Sequence, residues 1–101
     1  MSRIEFEWDE AKNLSNRLKH GVSFEEAGQV FDDPLYTSVP ERVEDGERRW
    51  QTFGRVNKVL LMTAHTLREE HAGNESIEII RIITARKATA RERRKYEDED
   101  G

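Results

Sequence analysis

The stretch from Ile77 to Tyr96, IEIIRIITARKATARERRKY, passes without a break from the most apolar part of the chain into the most basic. Isoleucine recurs at 77, 79, 80, 82 and 83, and branched side chains at that density suit a strand buried on both faces. Arg81 interrupts the run. A charge there must be paired, or must face a cleft where an anion or solvent meets it. Thr89 and Glu92 stand at capping-box spacing, so a short helix is predicted to begin there. Positive charge is thus carried on the rigid end of a strand.

Between Ile77 and Tyr96 stand seven basic residues (Arg81, Arg86, Lys87, Arg91, Arg93, Arg94, Lys95) against Glu78 and Glu92, a local net of +5 in a chain whose total is −4. Glu97, Asp98, Glu99 and Asp100 follow at once. Screening within about 10 Å at ordinary salt lets a local basic field attract phosphates even on an acidic molecule. The plain alternative is a solvated helix face held by i,i+4 pairs. With 101 residues, 35% apolar and 38% charged, the chain has material for one thin, two-layer domain whose surface a partner could cover. No cysteine is present, which excludes disulfides and thiolate metal sites and agrees with a reducing cytoplasm. No apolar run approaches the roughly 20 residues of a membrane span, and the first ten residues lack a signal-peptide pattern. A cytoplasmic protein without a membrane partner is expected.

Ile4 and Phe6 alternate with charged residues as in a strand with one buried face. Asp9 then caps a helix whose Ala11, Leu14 and Leu18 fall at helical spacing, with Gly21 closing it and Lys19 and His20 in its last turn. Ser23 with Glu26 opens a second helix presenting Phe24, Ala27, Val30 and Phe31, ended by Asp32, Asp33 and Pro34. Three strands are predicted next: Tyr36 to Val43, placed at an edge by Pro40; Arg48 to Val56; and Lys58 to Thr66. A polar loop, Glu69 to Glu75, leads to the isoleucine strand. The predicted class is α+β, in the order β-α-α-β-β-β-β-α, with both early helices on one face of an antiparallel meander and the other face free to bind. One domain over residues 1–96 and an acidic, disordered tail over 97–101 are expected. The last helix has almost no apolar stripe beyond Ala90 and Tyr96, so it must lean on something else.

Phe6, Trp8, Asp9, Lys12, Asn13, Lys19, His20, Gly21, Val22, Phe24, Ala27, Val30, Phe31 and Asp32 form an opening pattern that resembles the BrnT toxins. Gly46, Arg48, Leu60, Leu61, Arg81, Ile82, Ile83, Ala85, Arg86, Lys87, Ala88, Glu92, Arg93, Arg94 and Tyr96 resemble the remainder, apart from Thr84, where serine is commoner, and a longer loop from Leu67 to Ser76. The resemblance spans nearly the whole chain. It implies a RelE-like fold and a type II toxin that cleaves RNA. It also implies inactivation by a ribbon-helix-helix antitoxin, which alone contacts operator DNA, in a hetero-oligomer or beside a homodimer.

Metal-free RNA cleavage needs a base for the 2′-hydroxyl, cations for the phosphorane and an acid for the leaving oxygen. Arg81 is the first candidate for the phosphate, because a planar fork on a strand is preorganised for oxyanions. A buried ion pair with Glu78 or a helix acid is its alternative. Arg86 is the second, yet residues 81 and 86 differ by an odd number, so both face one cleft only if the strand ends or bulges near Thr84. Lys19 and His20 are acid or base candidates, or merely partners of the helix dipole. Glu47 is the base candidate, with a cross-strand ion pair as its alternative. Arg48, Arg49, Lys87, Trp50 and Tyr96 are candidate RNA contacts, the two aromatics being equally suited to packing. His65 reads as a satisfied buried histidine and His71 as a solvated loop residue. The histidines lack metal-ligand spacing, and no metal or cofactor is expected. A non-catalytic module binding nucleic acid or protein through the same cations is the rival reading.

Overall fold

Described over residues 2–100 in a computed structural model, the chain runs β1 (Ser2–Glu7), α1 (Glu10–His20), α2 (Phe24–Gly28), a 3₁₀ turn (Gln29–Asp32), β2 (Thr37–Glu44), β3 (Glu47–Val56), β4 (Val59–Ala72), β5 (Glu75–Lys87) and α3 (Ala90–Asp100). The α+β class and the predicted order hold. The strands form one sheet, β1-β5-β4-β3-β2, in which β2 to β5 are antiparallel neighbours and β1 joins β5 in parallel. Pro40 lies on the edge strand β2, where its missing N–H is harmless. Asp45-Gly46 and Asn57-Lys58 adopt positive φ and make two of the three tight turns of the meander, the third being Gly73-Asn74.

All three predicted helix starts are present. Asp9 accepts from the Ala11 and Lys12 amides, while Ser23 with Glu26, and Thr89 with Glu92, form reciprocal boxes. Val22, Phe24, Ala27 and Val30 pack on Val56, Leu61, Ile80, Ile82 and Ala85 to make the core on one sheet face. Gly54 permits this contact: a Cβ there would stand 2.5 Å from the Val30 carbonyl oxygen.

Three expectations need correction. The stripe of α1 points outward, with Leu14 58% and Leu18 83% exposed, and the buried positions are Asn13 and Asn16. The cause is the length of β5. Strand β1 ends opposite Arg81, leaving the last residues of β5 with a bare edge whose backbone groups must be met. Asn16 meets them, donating through Nδ2 to the Ala85 and Val22 carbonyls at 2.8 Å each and accepting the Ala85 amide at 3.2 Å.

The expected loop at Glu69 to Glu75 is instead a long hairpin. Cross-strand pairing continues to Ala72 and Glu75, because backbone ladders with β1 on the far side hold even charged residues in strands. His71 therefore lies on β4, 3.0 Å from Glu69. The face opposite the core is not wholly free: α3 folds back on it, with Tyr96 buried near Phe53 and Val39. α3 runs on from Tyr96 through residues 97–100, and Glu97 pairs with Arg55 at 3.2 Å.

Candidate nucleic-acid interface

Strand alternation alone would send Arg81 and Arg86 to opposite faces. The register resolves the conflict: Ala64 pairs with Thr84 but His65 with Ile82, so Ile83 is an extra residue bulged out of β5. Ile82 and Ala85 both enter the core, and Arg81, Thr84 and Arg86 all turn to the other face.

That face is built of cross-strand rows. Arg81 lies beside Thr66, and Arg49 comes next on β3, one residue before the Trp50–His65 pair. The following row is Thr84, Ala64, Gln51 and Val39, and the one after it Arg86, Met62, Phe53 and Thr37. Met62, Ala64 and Thr66 form a buried floor. From Thr66 to Met62 is four residues, about 13 Å, so Arg81 and Arg86 stand at the two ends of this floor with the small Ala64 between them.

Each arginine is held by a carboxylate. Arg86 makes a bidentate pair with Glu92 at 2.8 and 3.1 Å. The hydrogen bond raises the arginine's pKa and holds Glu92 below the usual carboxylate range against the opposing effect of burial. Glu7 stands 2.6 Å from Arg68 and 3.6 Å from Arg81, and its pKa is lowered first by the Arg68 hydrogen bond. Arg49 meets Glu44 at 3.2 Å. Partly exposed pairs of this kind contribute on the order of 1 kcal/mol or less. A phosphate with the same fork-matching oxygens can therefore replace the carboxylate.

Glu41 was not singled out from the sequence. It is half-buried beside Gln51, whose Nε2 lies 3.5 Å from its Oε1, and its charge acts on Arg86. No ion pair holds it among the described residues, unlike Glu7, Glu44 and Glu92. The irregularity between Pro40 and Val43 in β2 puts it there, and a register shift leaves no reliable mark in sequence.

The remaining candidates are dispersed. Glu47 is exposed at the start of β3, beside Glu44 in register. Arg48 bonds the Glu41 carbonyl at 2.7 Å, and Trp50 faces the helix side with His65 and Phe31. Lys87 turns to the helix side by alternation. Lys19 and His20 line a separate depression with Lys12, Asn16, Ile83 and Thr84 at the β5 edge. Tyr96 donates to Asp33 at 2.6 Å, under Arg55 at 5.5 Å, and so serves as the packing anchor of α3. Burial opposes ionisation of Asp33, but bonds from Tyr96, Arg55 and Leu35 outweigh it and lower its pKa. His65 is buried and neutral, donating through Nδ1 to the Thr66 carbonyl at 3.1 Å and accepting at Nε2 from the Thr52 hydroxyl at 2.7 Å, with its pKa lowered by desolvation. Among the described residues, no helix is long and apolar enough to cross a membrane.

Fold and face together define a small α+β domain whose sheet face opposite the core carries Arg49, Arg81 and Arg86 around a buried floor. Residues 8–92 match the model of a family described as the ribonuclease toxin, BrnT, of type II toxin-antitoxin systems, and the chain belongs to that family. Membership makes it a ribonuclease toxin with RNA as substrate and an antitoxin as partner. No curated protein matches the chain.

Proposed function

We propose that the chain is a metal-independent endoribonuclease whose cleft is the arginine-lined sheet face. The observation that carries this reading is the Ile83 bulge, which turns Arg81 and Arg86 to one side. In the proposed reaction the two arginines and Arg49 bind the scissile phosphate. Glu41, or Glu47 at the rim, takes the proton of the 2′-hydroxyl. The 2′-oxygen bonds to phosphorus, the bond to the 5′-oxygen breaks, and that oxygen is protonated, leaving a 2′,3′-cyclic phosphate and a 5′-hydroxyl. An RNA strand leaving over the β5 edge passes Thr84, where Lys12, Lys19 and His20 stand. His20 is the group on that path suited to delivering the proton. General acid-base groups each supply about 10²- to 10⁴-fold in rate, and a preorganised donor at the phosphorane about 10²- to 10³-fold.

The antitoxin, of the ribbon-helix-helix type, neutralises the protein by denying RNA this face, and operator DNA is contacted through the antitoxin. The binding-module reading draws on the carboxylate partners already held by Arg49, Arg81 and Arg86, and turnover separates the two. Purified protein, free of antitoxin, is incubated with labelled single-stranded RNA in excess EDTA beside Arg81→Ala. Cleavage that survives chelation, ends in cyclic phosphate and is lost in the folded variant is expected. Undiminished cleavage by that variant refutes the assignment of Arg81.

A further inference from the structure

The helices cover only part of the sheet face they sit on. α1, α2 and the 3₁₀ turn pack over the part near Ile80, Ile82 and Ala85. Beyond Phe31 the same face is bare, and a hollow of about 220 Å³ opens there. Its lining includes Ile4, Phe31, Tyr36, Trp50, Leu67 and Ile80. Ile4, Tyr36 and Leu67 are each about half exposed, and Phe6, packed on Phe31, adds a fourth apolar group. A sheet face of this composition ordinarily lies beneath another layer. Scattered exposed apolar residues need no explanation, whereas a contiguous patch marks a contact surface.

Shape and charge say what that layer is. The lining draws on all five strands, from Ile4 on β1 to Ser38 on β2. Four interstrand spacings come to about 19 Å, the length of roughly 13 helical residues. On the rim, Glu78 and Glu69 stand directly opposite each other in register. Like charges in that position disfavour the hairpin, and Glu78 has no ion pair or hydrogen bond among the described residues. A basic group from outside relieves the repulsion.

We infer that this trough is the anchoring site of the antitoxin, taking an amphipathic helix of three to four turns with an apolar ridge and a lysine or arginine set against Glu78 and Glu69. The inference rests on membership in a toxin-antitoxin family for the existence of the partner, and it separates anchoring from blocking. The helix seats on the face opposite the arginines, while inhibition comes from whatever the antitoxin places over the cleft.

The test uses Leu67→Glu and Glu78→Lys, neither of which touches the arginine-lined face. The purified antitoxin is titrated against each, with Arg81→Ala as the reciprocal control. Leu67→Glu is expected to weaken binding on the order of 100-fold and Glu78→Lys about 10-fold, the range of losses at central anchors and charged partners. Glu78→Lys is also expected to raise the thermal midpoint, since a lysine there pairs with Glu69. RNA cleavage by the free variants stays within about twofold of wild type, and Arg81→Ala binds antitoxin normally. Wild-type affinity in both trough variants overturns the inference. So does a concentration-dependent dimer that Leu67→Glu dissolves, which makes a second copy the occupant. Failure of wild type to cleave RNA sinks the ribonuclease reading and leaves the binding result standing.

Discussion

Replacing Asn16 by alanine tests the device that closes the β5 edge. The asparagine Nδ2 donates to the Val22 and Ala85 carbonyls, and Oδ1 accepts the Ala85 amide and the Thr84 hydroxyl at 3.0 Å. Thr84 is half-buried and can turn to water, so its bond is left out of the sum. Three backbone groups lose their partner in a buried site, at about 1 kcal/mol each after relaxation. The expected destabilisation is therefore about 3 kcal/mol, or roughly 12–24 °C in the thermal midpoint of a domain this size. Urea unfolding with an unchanged m-value is the assay, with amide exchange at Ala85 as the local report. Asn16→Asp keeps the acceptor but sets a carboxylate against two carbonyl oxygens, so it should be no better than alanine. A loss below about 1 kcal/mol for Asn16→Ala would refute the claim that this side chain stands in for the missing strand. In that case the bulge at Ile83, and with it the common orientation of Arg81 and Arg86, must be held by something else.

Gly54→Ala forces its Cβ against the Val30 backbone and should cost 1–3 kcal/mol or more by overpacking; chemical denaturation reads it, and an unchanged midpoint would mean the 3₁₀ turn yields freely. Glu92→Gln keeps the N3 residue of the capping box while removing the charge that holds Arg86. Its affinity for RNA at low salt should rise severalfold with helicity unchanged, and a fall would show that Glu92 assists rather than competes. His65, with its pKa lowered in the folded state, makes a stability contribution that is complete above the unfolded value near 6.5 and is lost as pH falls through the folded one, by up to about 1.4 kcal/mol per unit. The carboxylates with lowered pKa act only below about 4.5, so a decline in midpoint between pH 6.5 and 5 that persists in His65→Gln would assign it to another group.

Local signals were read correctly because local physics decides them. Asp9, Ser23 and Thr89 start helices by bonding their own backbone, and Gly21 stops one through a φ value it tolerates. Pro40 named its strand an edge because it lacks a donor wherever the fold puts it. The family pattern was legible for the same reason, being a string of such residues together with Arg81 to Tyr96.

What depends on neighbours distant in sequence was decided only by the tertiary structure. The α1 face carrying Leu14 and Leu18 looked like the buried one until a bare β5 edge required asparagine amides instead. Glu69 to Glu75 looked like a loop because polar runs usually are, yet β5, itself backed by β1, supplies Glu69 to Ala72 with a backbone ladder along one side and holds them in a strand. Arg81 and Arg86 were individually visible, but whether they shared a face hung on one bulged residue set by register with β4, 20 positions away. Glu41 became a candidate only through a shift in β2, and the bare trough only when both helices were seen to leave part of the sheet face uncovered. Composition and capping are properties of residues and their near neighbours; register, coverage and the meeting of charges across strands are properties of the assembled sheet.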